Sequence, residues 1–324
     1  MDANNICHNK TIRRCCRTRD RVRRRMNGVL GWLTVCVLAL NPASAQETPE
    51  LEGVEVASGT IVSRGDTALT KKISYPDDPY PGMLGRTNDG WEVTQRLTDF
   101  GDEGMGPDQG MALDHTHVLI QEENNSIVDR GDAVVAYEYE NGAWVYKGDI
   151  VPSDLGEHYH FGHGIGVSGD TAIIGAPGYL STPFPGYAYV YEWENGQWVE
   201  KQKLQASDAT NDANFGSAIA VCGDVAVVGD WRKDPDGQAY IFERQDSGEW
   251  VEVSCLKPPA GEGGSFGCDV AVYGSWIAVG ETRYASYAGA VYMYERVDGA
   301  WTYAGRVTPA EPAENMRFGN TVAL

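Results

Sequence analysis

The chain has 324 residues, 22% of them charged and 42% hydrophobic, with a formal net charge of −20, an isoelectric point near 4.6 and a mean hydropathy of −0.37. These values exclude collagenous and disordered classes, and so acidic a surface repels phosphate backbones and excludes a nucleic-acid partner. Glycine accounts for 39 residues, about 12% against an average near 7%, and nine Trp and 17 Tyr accompany it, a turn-rich and aromatic-rich composition that indicates an all-β fold.

From the N-terminus, residues 1–25 hold nine Lys/Arg, an apolar run Val29–Leu40 follows, and Asn41-Pro42-Ala43-Ser44-Ala45-Gln46 comes next. A basic segment, an apolar core of about 12 residues and a small-x-small ending describe a secretory signal peptide over residues 1–45, cut before Gln46. The run is too short to span a bilayer. Met26 is an alternative start, and Arg23-Arg24-Arg25 resembles a twin-arginine signal only loosely. The mature chain is therefore expected outside the cytoplasm, secreted or at the cell surface or in a periplasm, with no membrane span. The leader takes nine cations but only Asp2 and Asp20 with it, so the remaining 279 residues carry −27. Four of seven cysteines also leave, none of them in a lipobox at the cleavage point. Cys222, Cys255 and Cys268 remain, and an oxidising compartment permits one disulfide among them with the pairing open.

A repeat of about 53 residues organises residues 46–324. Trp91, Trp144, Trp198, Trp250 and Trp301 are spaced 53, 54, 52 and 51 apart, each after a turn such as Asn141-Gly142, Asn195-Gly196 or Asp298-Gly299. Such dipeptides between alternating apolar runs are strong hairpin signals. In step run Phe161-Gly162, Phe215-Gly216, Phe266-Gly267 and Phe318-Gly319, spaced 54, 51 and 52. Four strands are expected per unit; in residues 161–205 they fall at Gly164–Ser168, Thr171–Ile174, Ala188–Glu192 and Trp198–Leu204. Four antiparallel strands with a glycine-rich first and a charged last strand make a β-propeller blade. The expected blades are 53–98 (degenerate), 107–150, 161–205, 215–256 and 266–307, with a partial one at 318–324. The Phe side chain is expected between blades, and its Gly at the turn from one blade to the next.

At these residues the chain resembles the FG-GAP repeat family, extracellular propellers that include the head of integrin alpha subunits. Phe161-Gly162 with Gly175-Ala176-Pro177 carries the full signature, and Val167–Pro177 looks like the bacterial-type branch. Gly229-Asp230-Trp231 and Gly280-Glu281-Thr282 depart in the second half, and the repeat from Pro107 to Glu123 lacks both halves. Integrin-type repeats hold calcium in an Asp-rich loop between the two halves, but here that connection is only Ser168-Gly169-Asp170, Cys222-Gly223-Asp224 or Tyr273-Gly274-Ser275. One carboxylate on a two-residue turn cannot supply the six to eight oxygens calcium takes, so no calcium and no other cofactor is expected. Asp234-Pro235-Asp236-Gly237 reads as a turn.

Other candidates are few. His158, His160 and His163 make a conceivable transition-metal group, since His-x-His on an extended segment puts both rings on one face; His115 and His117 lie at the opposite ends of such strands. Solvated loop residues are the alternative. Gly263-Gly264-Ser265-Phe266-Gly267 matches a nucleophile elbow formally, but that motif needs a helix after it, and its Phe-Gly belongs to the repeat. Arg64-Gly65-Asp66 and Arg130-Gly131-Asp132 read as turns, and Asn124-Asn125-Ser126 as a glycan acceptor only in a host that glycosylates. No complete catalytic set is visible. The expected function is therefore a non-enzymatic, exported propeller that binds a protein or glycan. The alternatives are a hydrolase or lyase working in the central channel through His163 or channel-facing acids, and a purely structural module. The end at Phe318–Leu324 reads as a first strand, either closing a five-bladed ring on a first blade that lacks its own first strand or, the preferred reading, belonging to a longer propeller.

Overall fold

The computed structural model describes residues 110–122, 133–154, 160–177, 184–211, 213–259 and 264–324, together with the strand backbone of 36–37, 61–64, 67–70, 82–87 and 90–96. After β1 (Cys36–Val37), five four-stranded antiparallel sheets follow in chain order. Blade 1 is β2 (Ile61–Arg64), β3 (Thr67–Thr70), β4 (Gly82–Thr87) and β5 (Gly90–Arg96). Blade 2 is β6 (Met111–Leu113), β7 (His117–Glu122), β8 (Ala133–Glu140) and β9 (Ala143–Ile150). Blade 3 is β10 (Ile165–Ser168), β11 (Thr171–Ala176), β12 (Tyr187–Glu194) and β13 (Gln197–Leu204). Blade 4 is β14 (Ala218–Cys222), β15 (Val225–Asp230), β16 (Gln238–Arg244) and β17 (Trp250–Leu256). Blade 5 is β18 (Phe266–Tyr273), β19 (Trp276–Glu281), β20 (Ala290–Val297) and β21 (Ala300–Val307). Last comes β22 (Val322–Ala323), which pairs with β1 and packs on β18 and β19. First strands of successive blades lie against one another, β2 on β6, β6 on β10, β10 on β14 and β14 on β18. This is the blade arrangement of a β-propeller.

Two expectations change. Blade 1 does not lack a first strand: Ile61–Arg64 pairs with Thr67–Thr70, Arg64 opposite Thr67. The sequence Ile-Val-Ser-Arg is too short to show an alternation, which is why only Trp91 marked this blade. The three cysteines form no disulfide and are free thiols; Cys255 Sγ lies 3.1 Å from Gln238 Oε1, and Cys268 Sγ lies 3.6 Å from Gly319 O.

Local chemistry sets each hairpin. Asn141-Gly142, Asn195-Gly196 and Asp298-Gly299 have both central residues at positive φ, between 51° and 90°, as a two-residue type I′ turn requires. The outer pair of every blade also carries a register shift at one repeat position: Met83/Leu84, Ala136/Tyr137, Val190/Tyr191, Ile241/Phe242 and Met293/Tyr294. A bulge there increases the local twist of the outer strands.

The middle strands are buried on both faces, so alternate residues serve two different seams. On β12, Tyr189 and Tyr191 face blade 2, whereas Ala188 and Val190 face blade 4. Phe161 is fully buried among blade 2 residues (Leu119, Val134, Ile150) and blade 3 residues (Ile174, Tyr189). Phe215 and Phe266 repeat this at the next two seams, each edge-on to two rings of its own blade's third strand. The repeat tryptophans also reach back: Trp198 lies 4.9 Å from the His117 ring of blade 2, and Trp301 Nε1 donates to Glu243 of blade 4.

Beside each Phe, backbone meets backbone. Gly162, Gly216, Gly267 and Gly319 sit at φ between 84° and 93°, and Gly186, Gly237 and Gly289 bridge to Phe215, Phe266 and Phe318. A Cβ on Gly175 would lie 1.9 Å from Gly216 O, one on Gly229 2.2 Å from Gly267 O, and one on Gly280 2.0 Å from Gly319 O. The Gly of one blade's second strand is thus required by the Phe-Gly carbonyl of the next. Blade 2, where both signature halves are lost, solves the same seam differently. Gln121 occupies the glycine position; its Nε2 donates to Phe161 O at 3.1 Å and its Oε1 accepts from Gly110 N at 3.1 Å. Gly110 makes the close approach there, its missing Cβ leaving room for Gly162 O.

Two substitutions test the seam separately. Phe215→Ala is expected to cost about 3 to 5 kcal/mol through the cavity it opens, and Gly175→Ala about 3 kcal/mol through overpacking alone. Urea melts of each variant read the difference, and an unchanged midpoint for Gly175→Ala would mean that the blades slide to accommodate a methyl group.

Candidate functional site

The β15–β16 loop of blade 4 (231–237) faces the β19–β20 connection of blade 5 across an open groove of about 350 Å³ that includes Trp231, Arg232, Lys233, Asp234 and Arg283 in its lining. Asp230 builds the loop. It stands where blade 3 has Ala176, is 1% exposed, and its Oδ1 accepts the Asn214 N–H at 2.7 Å. The N–H groups of Arg232 and Lys233 also point at it. Burial outweighs these donors and pushes its pKa up to about 6. With the chain folded back over Asp230, Lys233 turns inward: it is 6% exposed and its Nζ lies 3.1 Å from Asp208 Oδ1. Asp208 also accepts from the Tyr240 hydroxyl at 2.6 Å. The loop closes through Gly237 N on Lys233 O at 2.7 Å, and through Phe266 N on Asp236 O at 3.0 Å.

Trp231 and Arg232 are left at the surface. The Arg232 guanidinium lies 4.9 Å from the Trp231 ring centroid and that of Arg283 lies 5.7 Å from it. Arg283 is fixed from blade 5, its backbone N–H on Ser265 Oγ at 3.2 Å and its Nη1 on Gly264 O at 3.3 Å. Among the described residues neither guanidinium has a carboxylate partner, although Lys147, Lys201, Lys203, Lys233, Arg244 and Arg296 all do. Two cations gathered on one indole, in a chain with −27 over residues 46–324, can attract an anion and orient it by bidentate hydrogen bonds. Sequence reading passed over these residues because Gly229-Asp230-Trp231 counted only as a departure from the repeat. A Trp flanked by Arg at that departure was the available signal.

Blade 5 carries a second anomaly. Glu281, aligned with Asp230, is 0% exposed; the Tyr292 hydroxyl and the Ser265 N–H lie toward its carboxylate, but among the described residues no hydrogen bond of normal geometry reaches it. Burial pushes the Glu281 pKa up to about 7. In blades 3 and 4 the equivalent tyrosines, Tyr189 and Tyr240, donate to Asp154 and Asp208.

The sequence candidates are dispersed. His158 lies outside the described residues. His160 sits in a turn at φ 66°. The Nδ1 of His163 lies 2.9 Å from Ser217 O, across the seam to blade 4. His115 and His117 part as well: His115 is in an exposed bend shaped by Asp114, whose Oδ1 takes the N–H groups of Thr116 and His117 at 2.7 Å, while His117 is buried against Trp193 and Trp198 with its pKa lowered by burial. Among the described residues no group of three or more His, Cys, Asp or Glu could hold a metal ion. Ser265 is buried, bonded to Thr282 Oγ1 at 2.9 Å, and followed by strand β18 in place of a helix. Gly65, Asp66, Asn124–Ser126 and Arg130–Asp132 lie outside the described residues.

Residues 144–191 and 198–242 match the FG-GAP repeat. Each match starts at an outer-strand tryptophan and ends in the third strand of the following blade, spanning one Phe-Gly seam. The protein is thus an all-β chain of propeller blades that carries FG-GAP repeats over those residues. No curated protein matches the sequence. Among solved structures, a candidate 6-phosphogluconolactonase from Bacteroides fragilis is similar at 14% identity and TM-score 0.49, over 78% of this chain and 70% of that one. A hypothetical selenium-binding protein from Sulfolobus tokodaii is similar at 11% identity and TM-score 0.51, over 77% of this chain and 66% of that one. At such identities the second likeness shows the fold alone. Among the described residues no helix is long and apolar enough to cross a membrane.

Glu281 gives a pH prediction. Its pKa is about 7 in the folded chain against an ordinary 4.5, so its contribution to stability is full below pH about 4.5 and falls as pH rises through 7. Glu281→Gln is expected to match the native protein at pH 4 and to be more stable by about 3 kcal/mol at pH 8. Denaturant titrations at the two pH values check this, and a difference that does not grow with pH would show that Glu281 ionises without penalty.

Proposed function

We propose that the protein is an exported, non-enzymatic binding module that takes a protein or glycan ligand at the loop face of blades 4 and 5. The observation that carries the reading is the groove around Trp231, where two guanidinium groups without carboxylate partners stand in a strongly acidic chain. Export rests on the leader-like composition of residues 1–45. The binding role rests on the groove's makeup, an aromatic plate with convergent polar groups, and on the placement of the buried acids. Asp230 and Glu281 lie inside the blades, away from solvent, and Asp230 is engaged with the N–H groups of its own loop.

Wild-type protein and Trp231→Ala, compared on a glycan array and against purified surface proteins, test this. Binding that falls at least tenfold in the variant, with an unchanged melting temperature, supports it. Turnover of a glycan or ester substrate that disappears in His163→Ala would place the protein among enzymes instead.

A further inference from the structure

Resting on that binding reading, we propose that the groove selects uronate-bearing glycans, with one sugar carboxylate held between Arg232 and Arg283. Three features of the groove lead there. First, the two guanidinium groups come from different blades yet converge on one indole ring, at 4.9 and 5.7 Å. Among the described residues neither is ion-paired with a carboxylate, and a planar carboxylate matches the guanidinium fork in shape. Second, Lys233 lines the same groove but is held by Asp208 at 3.1 Å. The free positive charge of the groove is therefore confined to the two arginines.

Third, an exposed carboxylate, Asp234, lines the groove beside these cations. It accepts hydroxyl donors, which a sugar ring supplies next to its carboxylate and an acidic peptide largely lacks. A volume of about 350 Å³ is at the small end of ligand pockets, about 300 to 1,000 Å³, and suits a short stretch of a polysaccharide chain passing over an open groove. The division of labour is then definite: Arg232 and Arg283 take the carboxylate, Trp231 holds the two guanidinium groups in register, and Asp234 takes a hydroxyl.

Calorimetric titration of the full chain with trigalacturonate, with its methyl ester and with a poly-glutamate peptide tests this. Trigalacturonate is expected to bind, its methyl ester at least tenfold more weakly, and the double variant R232Q/R283Q to lose the same factor while keeping its melting temperature. Raising salt from 50 to 500 mM is expected to weaken the acid form and leave the ester unchanged, as screening demands. Equal binding of acid and ester, abolished by Trp231→Ala, overturns the charge selection and leaves the binding groove intact. Poly-glutamate binding more tightly than trigalacturonate, and losing it in R232Q/R283Q, overturns the glycan class. No binding by trigalacturonate, with array signals indifferent to Trp231→Ala, overturns both this proposal and the reading beneath it.

Discussion

The blades are held in place by one short-range constraint: the carbonyl of each Phe-Gly glycine packs against the bare Cα of the glycine in the preceding blade's second strand. At Gly175, Gly229 and Gly280 the space that a Cβ needs is already taken by Gly216 O, Gly267 O and Gly319 O. Because this approach is between main chains, it sets the spacing and angle of neighbouring sheets more strictly than side-chain packing alone, which can be refilled by rotamer changes. The buried Phe beside it supplies the hydrophobic burial, and the glycine pair sets the distance at which that burial occurs. Blade 2 shows that the constraint outlasts its residues: Gly110 takes the close approach and Gln121 rebuilds the missing contact with two side-chain hydrogen bonds.

Around this seam a set of polar links repeats from blade to blade. Ser153 and Ser207, in the connections between blades, each give a backbone N–H and a hydroxyl to one glutamate, Glu200 and Glu252, at 2.8 Å. Glu192 pairs with Arg244 and Glu243 with Arg296, third strand to third strand. Such half-exposed pairs contribute little singly, but they bind the solvent edges of the blades while the glycines bind the buried region. Several of the described cations are held in ion pairs; Arg232 and Arg283 are not, and they are the two that meet on one indole ring.

The repeat was legible from the tryptophan and Phe-Gly spacings because both mark backbone events, a hairpin turn and a seam, that leave few residue choices. Blade 1 was nearly invisible because its first strands are four residues long and mixed in polarity, so no alternation rises above the noise of single residues. The candidate site was not legible at all as a site. Its residues lie 52 positions apart, Trp231 and Arg232 in one repeat and Arg283 in the next, and only the angle between neighbouring blades brings them together. The histidines drew attention by clustering in sequence; in the structure His160 sits in a turn, His117 is buried and His163 reaches across the seam to Ser217 O.

The position after the seam glycine explains why the site arose where it did. In blade 3 that residue is Ala176 and the chain continues into Pro177, which ends the strand without any polar requirement. Blades 4 and 5 keep the glycine, since the next blade's carbonyl demands it, but replace the alanine with an acid, Asp230 or Glu281. A buried carboxylate is costly unless donors meet it. Asp230 is short enough to gather backbone N–H groups from its own loop, and in doing so it turns the chain so that Trp231 and Arg232 face out. Glu281 is one methylene longer, is approached by the Tyr292 hydroxyl and the Ser265 N–H without a hydrogen bond of normal geometry, and has its pKa raised to about 7 by burial. The two neighbouring blades thus answer one substitution differently: in blade 4 the acid organises an exposed loop, and in blade 5 it is stored inside, leaving Arg283 at the groove's far wall. The seam tolerates both answers because each blade keeps the glycine that faces the next blade's carbonyl.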